Sequence, residues 1–130
     1  MKNGLFLIIG LAFIFGSLYL FLQKPAPVQR VKIGDKTFTV EVADTDIERA
    51  QGLSGRVIPE EGHGMLFVFP EPGLYGFWMK NMRFSIDIVW LDEEFKVIDI
   101  EQNVEPETFP QTFYPPIPIK YVVEVSSGEL

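Results

Sequence analysis

Cysteine is absent from this 130-residue chain. There is therefore no disulfide, no thiolate nucleophile, no zinc site built on sulfur and no lipid attached through Cys. Histidine occurs once, at His63, so a serine hydrolase would have a single candidate base. Ser54, in Gly52–Gly55 (GLSG), follows a helix pattern instead of a strand and makes no nucleophile elbow. Gly62-His63-Gly64 carries no Walker or dinucleotide pattern, so no phosphate cradle is expected. Cations are scarce as well, 11 Lys and Arg against 18 Asp and Glu. Lys2 and Lys24 flank the N-terminal apolar run, which leaves Pro25–Leu130 with 9 cations against 18 anions, a net −9. Phosphate-backbone recognition needs a cationic stripe, and Arg30, Lys32 and Lys36 have too few neighbours to make one. No nucleic-acid partner is expected. The acidic balance favours solubility and neutral or cationic partners.

What the chain has in quantity is apolar and aromatic surface. The length suits one domain of about 100 residues plus an appendage. Aromatic residues make up 14% of the chain, and a small core gains most per residue from burying large rings. Gly4 to Leu22 holds no charge; as a helix it is about 28 Å long, the thickness of a bilayer's hydrocarbon core. Residues 1–23 are therefore expected to form a single-pass signal anchor that contacts the membrane through residues 4–22. A cleaved signal would end in a small-x-small site, and the Ala nearest the end of the run, Ala26, lies between Pro25 and Pro27. Counting charges, Lys2 and the α-amine against Lys24, Arg30, Lys32 and Lys36, puts the domain in the cytoplasm. The short positive head is instead that of a signal anchor, and an extracytoplasmic domain is expected.

Residues 24–30 form a stiff Pro-containing spacer, and residues 31–130 the domain. Val31 and Ile33, then Phe38, Val40 and Val42, alternate with polar residues across Gly34-Asp35, a hairpin pattern. Thr45 with Glu48 is a capping box and Gly52 a stop, which predicts a short helix over Asp46 to Gln51. Gly64 to Phe69 (GMLFVF) reads as a strand buried on both faces, after which Pro70, Pro72 and Gly73 turn the chain. Phe77 to Met82 continues into a strand over Phe84 to Leu91, and further strands are predicted over Lys96 to Gln102 and Ile119 to Val125. Val104 to Pro118, with five prolines, is a long polyproline-like loop. The expected fold class is mainly β (α+β): a compact barrel-like or sandwiched antiparallel domain with one or two short helices, after a single transmembrane helix.

The blocks ERAQGLSGR (Glu48 to Arg56), GMLFVF, FWMKNM (Phe77 to Met82), SIDIVWLD (Ser85 to Asp92) and KYVVEV (Lys120 to Val125) run through nearly all of Val31 to Leu130. In order and spacing this region resembles the domain of unknown function family 192. The resemblance implies a compact β-dominated domain, commonly secreted or membrane-attached, with no established activity, cofactor or substrate. Two departures stand out. Ser85 replaces a common Pro, and the chain ends at Leu130 where the family usually continues through a helix and a final strand. The resemblance then implies a fragment or a short form, with one sheet edge left open.

Several residues carry candidate chemistry. Asp87, between Ile86 and Ile88, needs a partner or a proton. As an acid or base it would work with Glu124; as a structural group it would pair with Arg49, Arg56 or backbone N–H groups to clamp the short helix. His63 with Met65, Met79 and Met82, beside Trp78, is a ligand inventory suited to Cu(I), although Met is an ordinary filler beside rings. Phe109, Phe113 and Tyr114 of the Pro-rich loop offer an aromatic surface to a protein, peptide or glycan, or fold back over a sheet edge. No catalytic constellation is visible and no cofactor is expected. The leading expectation is a membrane-tethered, non-catalytic binding or accessory module; the alternatives are a soft-metal site and a carboxylate enzyme.

Overall fold

The computed structural model describes residues 26–130. The expected anchor at residues 1–23 lies outside the described residues. Among the described residues no helix is long and apolar enough to cross a membrane.

The predicted hairpin is β1 (Val28–Ile33) and β2 (Lys36–Ala43), paired antiparallel with Ile33 opposite Lys36. Gly34 takes φ +59 at the first turn position, a backbone conformation that glycine enters without a Cβ clash. Helix α1 (Asp46–Gln51) is capped as its sequence requires. Thr45 Oγ1 accepts from Glu48 N at 3.2 Å, and Glu48 Oε2 accepts from the N–H groups of Asp44 and Thr45, both at 3.1 Å. These bonds, led by the one from the Thr45 backbone, hold the Glu48 carboxyl below its ordinary range. Gly52, at φ +50, ends the helix by donating to Glu48 O at 2.8 Å.

After α1 the chain enters β3 (His63–Gly73), then the two-residue β4 (Phe77–Trp78), β5 (Ile86–Leu91) and β6 (Val97–Val104). A 3₁₀ turn (Pro106–Thr108), the short β7 (Thr112–Phe113) and β8 (Ile119–Ser126) complete the order. One six-stranded sheet runs β1-β2-β3-β8-β5-β6, and β4 with β7 makes a second, two-stranded sheet. The last strand thus sits at the centre, and β1 and β6 are the edges.

Several expectations need correction. The main sheet is mixed, not antiparallel, because β2 and β3 run parallel; the crossover through α1 supplies the long connection that a parallel pair needs. Among the described residues no closed barrel forms. The strand expected to end at Phe69 continues through Pro70 and Pro72 to Gly73, with its register against β8 interrupted between Val68 and Gly73, where the prolines lack the N–H a regular ladder uses. Phe77 to Leu91 is two elements: Trp78 ends β4, and a turn with Asn81 at φ +57 separates it from β5. The Pro-rich segment is folded, with its own 3₁₀ turn, a cis Phe109–Pro110 bond and a strand.

Each central strand sends alternate side chains to opposite faces. On one face Met65, Phe67, Phe69, Ile86, Ile88, Trp90 and Val122 join Leu53, Met79 and Phe84 in a core, with Tyr75, Phe77 and Phe113 packed against it. On the other, Leu66, Val89, Leu91, Val123 and Val125 join Val31, Ile33, Phe38, Val40 and Val42. The second face is thus covered by side chains of the same sheet, which its twist and coiling bring together.

Candidate functional site

The two carboxylates singled out in the sequence are both buried, Asp87 at 1% and Glu124 at 5% exposure. They do not meet. In β5, Ile86 and Ile88 belong to the aromatic-rich core, so Asp87 between them points to the opposite face; in β8, Val123 and Val125 belong to that opposite face, so Glu124 points to the aromatic-rich one. Although Ile88 lies directly across from Glu124, the sheet separates the two carboxyl groups.

Asp87 is satisfied. Its Oδ1 accepts from Asn103 N at 2.7 Å and its Oδ2 from Gly128 N at 3.2 Å. The structural reading thus holds in its backbone form, but Arg49 and Arg56 are not the partners: Arg49 pairs with Asp46 at 2.6 Å and Arg56 with Glu41 at 2.7 Å. What Asp87 clamps is the end of β6 against the C-terminal turn, not the helix. Asn103, at φ +53, also accepts from Ser127 Oγ through its Oδ1 at 2.9 Å.

Glu124 has the opposite surroundings. Its cross-strand neighbours are Met65 and Ile88, neither of which can donate a hydrogen bond, and it has no hydrogen-bond partner among the described residues. Burial alone pushes its carboxyl up to about 8, so at neutral pH it is mostly the neutral acid. Glu124 lines a cleft of about 360 Å³ bordered by α1, Leu53 and the rings of Phe67, Phe69, Tyr75, Phe77 and Trp78, with Met82 at its side.

The rings form a continuous wall. Phe69 stacks on Tyr75 with centroids 3.6 Å apart, and Phe77 meets Phe67 edge-on at 4.9 Å. Gly52 allows the end of α1 to lie against this wall; a Cβ there would stand 3.2 Å from Phe67 Cζ. Opposite, Ser54 Oγ donates to Lys80 O at 2.9 Å and Gly55 N to Asn81 O at 2.8 Å, tying the segment after the helix to the turn after β4.

Several other polar side chains on the cleft are already engaged. Arg49 donates to Asp44 O, Val68 O and Asp46 Oδ1, the Tyr75 hydroxyl to Glu71 O at 2.6 Å, and Gln51 Nε2 to Ser54 O at 3.1 Å. Glu124 and the Trp78 indole N–H are lining groups that make no such bond among the described residues.

The metal inventory is dispersed. Exposed His63 lines a depression with Val57 and Ile58, Met65 borders a different one beside Gly52, Met79 is core at 2% exposure, and Met82 lines the aromatic cleft. Among the described residues no three His, Asp or Glu side chains gather as metal ligands. The proposed aromatic surface also divides. Half-buried Phe113 pairs opposite Phe77 and packs on the core, Phe109 tilts against Trp78 at 5.4 Å, and Tyr114 is exposed beside Gly76. Sequence reasoning passed over Phe69, Tyr75 and Arg49 as site residues. A usable signal is the run Tyr121-Val122-Val123-Glu124-Val125, whose apolar residues fall on both faces and mark a strand buried on both sides, Glu124 included.

The sequence profile of the uncharacterized family DUF192 matches residues 29–130. A UPF0127 protein of Pyrococcus abyssi is 32% identical over 94 residues, covering 68% of this chain and 72% of its own length. Its counterpart in Pyrococcus horikoshii is 28% identical over the same share of this chain and 73% of its own length. Among solved structures, a Sinorhizobium meliloti protein described only provisionally as a transcription regulator superposes with TM-score 0.73 at 28% identity, covering 82% of this chain and 86% of its own. A Novosphingobium aromaticivorans protein of unknown function superposes with TM-score 0.68 at 24% identity over 82% of this chain and 78% of its own, a likeness of fold.

Proposed function

The chain belongs to the DUF192 family, and from that premise we propose that it is a non-catalytic binding module whose ligand enters the aromatic cleft above Glu124. One observation carries this reading: a carboxyl 5% exposed, without a hydrogen-bond partner among the described residues, borders a concave site walled by aromatic rings. The Glu124 oxygens open onto the cleft instead of being sealed in the core, so a ligand can reach and engage them. Concave sites that combine aromatic walls with a few placed polar groups are typical of small-ligand sites.

A carboxylate enzyme is the second reading, favoured by the displacement of the Glu124 carboxyl to about 8, a range suited to proton transfer. It needs a nucleophile or a second proton carrier. The neighbouring Ser54, Tyr75 and Arg49 are held in structural bonds, and Asp87 lies across the sheet, which weighs toward binding. The provisional label of the Sinorhizobium protein is not carried over, because 9 cations against 18 anions supply no phosphate-binding stripe. The uncharged run Gly4 to Leu22 supports a single-pass anchor holding the module, on the extracytoplasmic side, near a membrane surface.

The test is emission from Trp78, half exposed at the cleft, during titration of the full chain in maltoside micelles with a library of small amines, amides and sugars. A saturable change lost in Trp78→Phe is expected. Saturable binding that persists in Trp78→Phe and in Glu124→Gln would place the site elsewhere.

A further inference from the structure

The same cleft identifies the chemical class of its ligand, an inference that rests on the binding reading above. Arg49, Gln51, Ser54 and Tyr75 are held in internal hydrogen bonds, so a ligand with many hydroxyls would find few partners beyond Glu124, the exposed Asp46 carboxylate and the Trp78 indole N–H. A single charged centre on an apolar body suits it better. The rings already attract cations: the Arg49 guanidinium carbon stands 5.4 Å from the Phe69 centroid and Lys80 Nζ 5.5 Å from that of Trp78. Arg49 is paired with Asp46, and the domain as a whole is acidic. We infer that the cleft takes an organic ammonium ion, its charge set against Glu124 and its alkyl groups against the rings of Tyr75, Phe77 and Trp78.

The charge complementarity has a proton linkage. The ionisable groups around the cleft besides Glu124 are Asp46 and Arg49 of α1, Tyr75, and Lys80 near Trp78; β3 and β5 face Glu124 with Met65 and Ile88. Glu124, pushed up to about 8 by its burial, changes charge between pH 6 and 9. An ammonium ion stabilises its carboxylate and therefore expels its proton on binding.

The probes are choline and tetramethylammonium, which do not titrate, and 3,3-dimethylbutan-1-ol, the uncharged isostere of choline. Calorimetry on the full chain in maltoside micelles is expected to show one-to-one binding of the cations, tightening about tenfold per pH unit up to about pH 8 and level above it. Buffers of different ionisation enthalpy should report about one proton released per cation at pH 6.5 and none at pH 9.5. This wild-type measurement stands even if a variant misfolds. Glu124→Gln should remove the pH dependence and weaken binding at pH 9 at least about tenfold. If the alcohol binds as tightly as choline and alters Trp78 emission, the cleft remains a site and the cationic ligand is wrong. If neither binds, the ligand class and the cleft reading both fall, and binding without proton release also overturns the inference.

Discussion

The two faces of the central sheet treat a buried carboxyl in opposite ways. On the face shared with β1 and β2, Asp87 receives two backbone N–H groups and locks Asn103 and Gly128 in place. On the aromatic face, Glu124 sits between Met65 and Ile88 with no hydrogen bond from the described residues, under a cleft. Burial is nearly equal, so exposure alone does not separate the acid held by backbone donors from the one proposed to meet a ligand. The supply of donors does. A charge held by backbone dipoles contributes to folding, whereas a carboxyl without donors keeps its proton and weakens the fold whenever it must ionise.

The contrast breaks most sharply on Glu124→Gln. Because the folded-state value is raised from 4.5 to about 8, the contribution to stability is full below the unfolded value and is lost as pH rises through the folded one. Urea denaturation should show the variant more stable than the wild type at pH 9, by up to about 5 kcal/mol, with the gap closing by pH 4. A constant gap across that range would mean that Glu124 is ionised or partnered in the fold.

Asp87→Ala should act in the other direction, at about 3 kcal/mol of lost stability, because it strips the acceptors from two part-buried backbone N–H groups. Hydrogen exchange should rise first at Asn103 and Gly128. A loss under about 0.5 kcal/mol would erase the distinction between the faces.

The Pro-rich segment gives a milder comparison within the aromatic side. Phe113→Ala should cost about 2 kcal/mol, as expected of a half-buried core ring, while Tyr114→Ala should stay within about 0.5 kcal/mol. Equal effects in thermal melts would show that Tyr114 also packs. Between these sits the helix that walls the cleft: Thr45→Ala removes the acceptor for Glu48 N and should cost about 1 kcal/mol. A larger loss would mean that the cleft, beyond the cap, depends on α1.

The local elements were legible because their causes are local. The capping box at Thr45 and Glu48, the stop at Gly52, the turn at Gly34 and the alternation in β1 and β2 each depend on neighbours a few positions away. Site residues were legible only as a set of buried acids. Their ranking was not, since Asp87 led the list and Glu124 was its accessory, whereas the geometry gives Asp87 a structural post and Glu124 the cleft. The prolines after Phe69 reinforced a turn that tertiary pairing overrode, because β8 still meets the strand again at Gly73.

By itself the sequence determined the short-range hydrogen bonding, the two-sided apolar runs that bury both acids, the uncharged run at residues 4–22 and the scarcity of cations. The tertiary structure alone decided that the last strand lies between β3 and β5, and that β2 and β3 run parallel. It also decided which acid meets donors. Strand pairing joins residues far apart in the chain, so whether a carboxyl finds an N–H or an aromatic wall is set by partners that no local pattern names.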